Sequence, residues 1–261
     1  NSKNNFFNLE TINDIKTFHT QTDIICAANV ICHIPDLVDL FKSVDRCLNK
    51  NGLFIFEEPY LGSMFEKTSY DQIYDEHIFM FSASSVQKIC LLFDMELIDI
   101  LKQETHGGSL RYVCARKNVY NVKDNVNYFI DNEKKNNLDN INSCFQFKKN
   151  CENSKKNLRN RLLKLKEDNK KICGYAATSK STTVLNYCNI GTEIIDFICD
   201  TTPEKIGKFS PGKHIPIKPM NYFHENYPDI AFLFAWNHKK EIFEKEKEFS
   251  QKGKWFAHVE L

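Results

Sequence analysis

Short apolar runs alternate with stretches of helical periodicity along most of the chain, and that alternation restricts the fold more than any other feature. Asp23-Ile24-Ile25-Cys26-Ala27-Ala28 has the length and character of a buried parallel strand. After His33-Ile34-Pro35-Asp36, the residues Leu37, Leu40, Phe41, Val44, Cys47 and Leu48 recur along one face of a 3.6-residue period. Asn51-Gly52 has the composition of a helix C-cap, and Leu53 to Phe56 reads as the next strand, closed by Glu57-Glu58-Pro59. Ser82 is placed to cap a second helix that turns Val86, Ile89, Cys90 and Phe93 inward. Glu96–Ile100 and Leu110–Ala115 then read as two strands, the second of them a candidate antiparallel one. This order predicts a doubly wound α/β sheet.

From 118 to about 170 the chain is rich in Lys and Asn and holds no Gly or Pro. Cys144, Phe147, Cys151, Leu158, Leu162 and Leu165 recur there at helical spacing, which predicts a helical connector with a solvated charged face. A second α/β unit begins at Lys171. Its expected strands are 172–175, 194–199, 230–235 and 255–259, with helices through 184–187 and over 238–251. Length favours two domains: 1–117, the connector 118–170, and 171–261. The first readable element, around Phe6 and Phe7, looks strand-like. With Asn1 as its first residue, the chain reads as cut from the middle of a fold.

Composition excludes several classes. A net charge of +1 argues against nucleic acid as the partner, and no apolar run is long enough to span a membrane. No secretion signal opens the chain. The ten cysteines form no CxxC pair, so structural zinc has no motif here; reduced core thiols of a cytoplasmic protein are the expectation.

The densest polar cluster is Tyr74-Asp75-Glu76-His77. A histidine beside a carboxylate and a phenol offers a proton acceptor near neutral pH and a donor for an oxyanion; a mixed polar surface loop looks the same. His33 follows a strand end, where α/β sheets bind ligands, or it caps a helix start. His106-Gly107-Gly108-Ser109 permits close approach of a phosphate or sugar, or is a plain hairpin loop. The turn 174–181 aims N–H groups and Lys180 at an anion, with Asp200 about where a dinucleotide ribose acid would stand. GxGxxG is absent, which counts against an NAD-dependent oxidoreductase. The segment 201–214, with Lys205, Lys208 and His214, is either a phosphate cradle or a solvated loop.

Together these segments resemble the S-adenosylmethionine-dependent C-methyltransferases of deoxysugar biosynthesis. The resemblance is carried, in order, by Ala28-Asn29-Val30-Ile31-Cys32-His33-Ile34-Pro35-Asp36-Leu37, Glu58-Pro59-Tyr60-Leu61, Ile73-Tyr74-Asp75-Glu76-His77, His106-Gly107-Gly108-Ser109-Leu110-Arg111, the loop 174–187, the run 207–217 and Ala235-Trp236-Asn237. It implies the later half of a class I methyltransferase (Rossmann-like) sheet, the helical connector and a second, C-terminal Rossmann-like α/β domain. The zinc module and the glycine-rich cofactor loop of the family would precede Asn1, so zinc belongs only to that missing module.

The resemblance also implies roles. His77 is the base, with Tyr74, Glu76 and His33 as catalytic neighbours. Ala28, Asn29 and Val30 touch S-adenosylmethionine. His106, Gly107, Gly108, Ser109, Arg111, Ser179, Lys180, Asn186, Lys205, Lys208, His214, Trp236 and Asn237 hold a nucleotide-diphosphate keto sugar. Asp75 stands where the family often has His, and Ala176 where it usually has a second Gly. The implied enzyme acts as a monomer or homodimer. The rival reading is an inactive remnant that binds nucleotide sugar or serves oligomerisation.

Overall fold

The computed structural model describes residues 4–15 and 21–261. It divides into two compact units, one of residues 1–63 and 75–143, the other of 64–74 and 144–261.

In the first unit, strands β1 (Thr22–Ala28), β2 (Leu48–Pro59), β3 (Met95–Gln103) and β4 (Ser109–Arg116) form a sheet in the order β1-β2-β4-β3. β1 runs parallel to β2, while β4 is antiparallel to both β2 and β3. Helices α1 (Leu9–Ile15), α2 (Leu37–Cys47), α4 (Ala83–Leu92) and α5 (Asp124–Lys135) accompany these strands in the chain, and α3 (Leu61–Lys67) begins here and runs on into the 64–74 segment. α2 starts where Asp36 accepts the Asp39 N–H at 2.8 Å, satisfying one of the orphan donors of a helix start. Its apolar face carries Phe41 and Val44 into a core with Phe54, Phe56 and Tyr112. Each such buried aromatic contributes about 1.5–3 kcal/mol. The expected cap of α4 is present: Ser82 and Ser85 form a reciprocal capping box. The buried Glu133 carboxylate adds to it by accepting from the N–H groups of Ala83 at 2.6 Å and Ser84 at 2.9 Å. A carboxylate there also meets the positive end of the helix dipole.

Two expectations fail here. Phe6 and Phe7 precede α1 as irregular chain rather than strand. Asn51-Gly52 is no C-cap: α2 already ends at Cys47, with Leu48 extended, and the pair lies inside β2. The strand starts directly from the helix end, so the turn chemistry of Asn-Gly is unused.

In the second unit, β5 (Ile172–Tyr175), β6 (Phe197–Asp200), β7 (Ile217–Pro219), β8 (Ile230–Leu233) and β9 (Lys254–Phe256) form an all-parallel sheet ordered β7-β6-β5-β8-β9. β5, β6 and β8 are buried throughout, as parallel strands covered on both faces are. The chain changes direction between β5 and β8, the position where such sheets open a crevice at their carboxyl ends. Gly174 is required by packing: a Cβ there would lie 2.7 Å from Phe234 and 2.9 Å from Ile198. Helices α6 (Ile141–Glu167), α7 (Ser179–Tyr187), α8 (Met220–Glu225), α9 (Lys239–Lys245) and α10 (Lys247–Lys252) complete the elements. The single helix expected over 238–251 is thus two short ones, and β7 and α8 carried no signal strong enough to anticipate. The connector is also two helices, α5 and α6.

Candidate active site

In the first unit the site is built from the carboxyl ends of β1 and β2. Past Ala28 the chain turns at Asn29, whose φ of 53° is left-handed and whose N–H donates to the Glu57 carbonyl at 2.8 Å. The fully buried Glu58 then accepts from the N–H groups of Val30 at 3.1 Å and Ile31 at 2.7 Å. One carboxylate therefore fixes the turn that carries Cys32 and His33. The Cys32 carbonyl in turn accepts the Ile78 N–H at 2.9 Å, which pins the 75–78 segment beside it. His33 Nδ1 lies 2.7 Å from the Glu76 carbonyl, and since a carbonyl only accepts, Nδ1 carries the proton. The rings of His33 and His77 come to 5.1 Å between centroids. His33, Asp75, Glu76 and Ile78 line a cavity of about 360 Å³. The Cys32 thiol is pushed well up from its ordinary value by burial and then by neighbouring Glu58.

The structure therefore gathers His33, Glu76 and His77 in one unit. Tyr74, the first member of the tetrad, falls in the 64–74 segment and belongs to the other unit.

Also in the first unit, the loop before β4 turns through three successive positive φ values, at His106, Gly107 and Gly108. Ser109 Oγ closes it by donating to the Thr105 carbonyl at 3.0 Å. Arg111 is engaged with Glu57 at 2.9 Å, and Thr105 Oγ donates to the same carboxylate at 2.7 Å. Glu57 and Glu58 were legible as the polar end of an apolar strand, and Glu58 also within a string of the family resemblance; nothing local marked them as the residues that organise both loops.

The second unit distributes its candidates among three sets of partners. Lys180 is buried and donates to Asn237 Oδ1 at 3.2 Å, with its ammonium 5.2 Å from the centre of the Trp236 ring. Trp236 Nε1 donates to Asp71 Oδ2 at 2.7 Å, and His258 Nε2 lies 3.0 Å from Asp71 Oδ1. Burial alone would raise the Asp71 carboxyl, but the His258 hydrogen bond and charge, then Lys180 and Trp236, outweigh it and hold it below the usual carboxylate range. Burial lowers Lys180, and Asp71 offsets part of that. Sequence reasoning missed Asp71 and His258, which are far apart in the chain and sit in no motif.

Lys205 forms the second set: it donates to the Ala177 carbonyl at 2.8 Å and lies 3.7 Å from Asp200. Asp200 is itself committed to the N–H groups of Ala177 and Thr202. In the third set, Asn186 donates to the Pro211 carbonyl at 3.0 Å. Ser179, Lys208 and His214 are exposed. Ala176 has a φ of 73°, the left-handed region that glycine occupies without strain and alanine at a cost of about 1–2 kcal/mol. A separate cavity of about 340 Å³ at the carboxyl ends of β5, β6 and β8 is lined by Tyr175, Ala176, Asp200, Thr201, Ala235 and His238 among others.

Comparison with known proteins bears on both units. Residues 104–259 match the C-methyltransferase C-terminal domain, and residues 1–100 match a methyltransferase domain. The chain is 30% identical over 251 residues to the C-methyltransferase NovU of Streptomyces niveus, an alignment that covers 95% of this chain and 59% of the relative. The chain thus spans well under two thirds of the length of that curated relative. Among the described residues no helix is long and apolar enough to cross a membrane. With more than half its length inside the C-terminal-domain match and nearly all of it aligned to a C-methyltransferase, the chain belongs to the C-methyltransferase family.

Proposed function

We propose that this chain serves S-adenosylmethionine-dependent methylation of a carbon next to the ketone of a nucleotide-linked keto-deoxysugar, through an enolate. The observation that carries the reading is the pairing of His33 and His77 beside a cavity at the carboxyl ends of β1 and β2.

His77 is the base. Its imidazole takes the proton from the carbon alpha to the ketone, and the electron pair of that C–H bond passes into the enolate. His33, held by its Nδ1 hydrogen bond to the Glu76 carbonyl, keeps a fixed orientation beside it. Tyr74 donates to the developing oxyanion. The residues present suit part of the cofactor. Asn29 Oδ1 is buried without a partner among the described residues, an acceptor waiting for a ligand donor, and it stands between Ala28 and Val30. These three would line one side of S-adenosylmethionine, which supplies an electrophilic methyl group on a sulfonium. In the second unit Lys180, with Trp236 and Asn237 fixed around it, and the exposed Lys208 and His214 are assigned to the nucleotide diphosphate. His106 to Ser109 and Arg111 are assigned to the sugar side.

The test follows exchange of the sugar's alpha proton in D₂O together with methyl transfer, in the enzyme that carries this chain. His77→Ala should lower both by about 10²–10⁴, the worth of a general base. Tyr74→Phe should lower turnover by less, up to about 10²–10³ for one oxyanion donor. Wild-type proton exchange in His77→Ala would move the base elsewhere, with His33 next. Binding of nucleotide sugar without any exchange or methylation would favour a binding module instead.

A further inference from the structure

Cys32, His33 and His77 offer one thiol and two imidazoles whose donor atoms all lie within 4.8 Å of one another. Their approach is imposed by the backbone. The Cys32 carbonyl accepts the Ile78 N–H at 2.9 Å, so residues 32–33 and 77–78 are fastened side by side whatever their side chains do. His33 is further oriented, because its Nδ1–H donates to the Glu76 carbonyl at 2.7 Å. In the neutral ring this leaves the lone pair on Nε2. Donation of one ring N–H to a carbonyl is how ligating histidines are commonly set. Beside them lies the cavity of about 360 Å³, lined by His33, Asp75, Glu76 and Ile78.

We propose that Cys32, His33 and His77 bind a single borderline-soft divalent cation, with zinc the best fit, leaving a fourth position open to water. A thiolate with two imidazoles selects such a cation over magnesium or calcium, which prefer oxygen donors. Zinc–sulfur and zinc–nitrogen bonds of about 2.3 and 2.0–2.1 Å place tetrahedral donors about 3.3–3.6 Å apart. The donors must therefore close by about 1 Å on binding. His33 and His77 are half-buried while Cys32 lies in the core, so the closing movement falls to the imidazoles and their backbone. On binding, the S–H bond of Cys32 breaks, a sulfur–metal bond forms, and the proton leaves to solvent. None of these ligands belongs to the N-terminal module to which the family resemblance assigns zinc.

A consequence follows for catalysis, and it rests on the reading of His77 as the base. The lone pair that a cation takes from His77 is the one proton abstraction needs, so occupancy silences the enzyme. The site itself does not depend on that reading.

The experiment titrates the chelator-stripped chain with cobalt(II), a spectroscopic stand-in for zinc. One equivalent should bind with a thiolate-to-metal charge-transfer band and tetrahedral d–d absorption, and zinc should displace it. Cys32→Ser should remove the charge-transfer band, and His33→Ala should weaken binding by at least about tenfold. Cys144→Ser, which alters an exposed cysteine on α6, should change nothing. A charge-transfer band that survives Cys32→Ser in a chain still folded by circular dichroism, or one that vanishes in Cys144→Ser, overturns the site. Should Cys32→Ser not fold, unchanged affinity in His33→Ala overturns it equally. In the enzyme that carries this chain, saturating zinc should also abolish alpha-proton exchange. If the cobalt spectrum is as expected but exchange persists under zinc, the assignment of His77 as base fails and the metal site stands.

Discussion

β1 and β5 are written in nearly the same language, yet the two units use them in opposite ways. Ile24-Ile25-Cys26 and Ile172-Cys173 are both apolar runs opened by isoleucine and followed by a loop that carries candidate chemistry. β5 lies between β6 and β8, and Ile172 and Cys173 are fully buried. β1 ends its sheet, pairs with β2 alone among the described residues, and leaves Ile24 56% exposed. An apolar run thus announces a strand but not how many neighbours the strand has. The polar residues differ in the same sense. His33, after β1, stands half-buried at a cavity with His77 against it, while Lys180, just after β5, is closed into a network with Asp71, Trp236 and Asn237.

The largest effect expected from this contrast is at Asp71. Asp71→Ala leaves Lys180 and His258 buried without their carboxylate, and removing one partner of such a set costs about 3–5 kcal/mol. Both tryptophans of the chain, Trp236 and Trp255, lie in the second unit, so denaturant unfolding followed by tryptophan fluorescence reads that unit directly. His33→Ala, at an open site in the first unit, should cost less than about 1 kcal/mol by circular dichroism. Equal losses would erase the distinction between a closed and an open site.

Acid sharpens the same point. The Asp71 carboxyl is held below its ordinary value in the fold. It therefore contributes stability that is present above the unfolded value of about 3.9 and is lost as pH falls through the lower folded value. Asp71→Asn should remove that part of the acid slope. Burial would raise the Asp200 carboxyl, but it is depressed as well, chiefly by its hydrogen bonds to Thr202 and Ala177. The difference between wild type and variant isolates Asp71; parallel acid curves would show that it contributes nothing.

A smaller effect belongs to α4. Ser82→Ala removes the acceptor of the Ser85 N–H at 3.1 Å, worth typically about 1 kcal/mol at a helix start. Glu133 still satisfies the N–H groups of Ala83 and Ser84, so the loss should fall toward the low end, about 0.5 kcal/mol. Amide exchange of the first turn of α4 measures it. In a Glu133→Gln background the same substitution should cost more; a simple sum of the two losses would mean the caps act independently.

What could be read from the chain follows from the range of each interaction. Ser82, and the helix face carrying Leu40, Phe41 and Val44, are set by neighbours a few residues away, and both were legible. Asn51-Gly52 misled because its turn chemistry is local while the run of β2 through it is set by pairing with β1 and β4. β7 was invisible since Ile217-Lys218-Pro219 is only a short strand, and its Pro argues against one. The proximity of His33 to His77 came from family resemblance; no spacing rule yields it. Asp71 with His258 had no signal at all, and neither did the loop-fastening role of Glu57 or of Glu58, though Glu58 stands in a family string, because these contacts exist only once the chain has folded. Ala176 is the instructive middle case: its departure from the family's glycine was visible, and its φ of 73° gives that departure a physical cost.

The smallest predicted effect tests the comparison at its root. Ile24→Ala removes apolar atoms that are already largely in water, so it should change stability by no more than about 0.5 kcal/mol. Ile172→Ala, at the matching place in β5, empties a fully buried site and should cost about 2–5 kcal/mol, part transfer and part cavity. The two substitutions delete the same atoms from the same residue type, so strand propensity and unfolded-state effects nearly cancel between them. What remains is the difference in cover. The Ile172 loss is read by tryptophan fluorescence and the Ile24 loss by amide exchange along β1 and β2. An Ile24→Ala loss as large as that of Ile172→Ala would mean that the outer part of β1 is covered in solution, and the contrast between an edge strand and a central one would not hold.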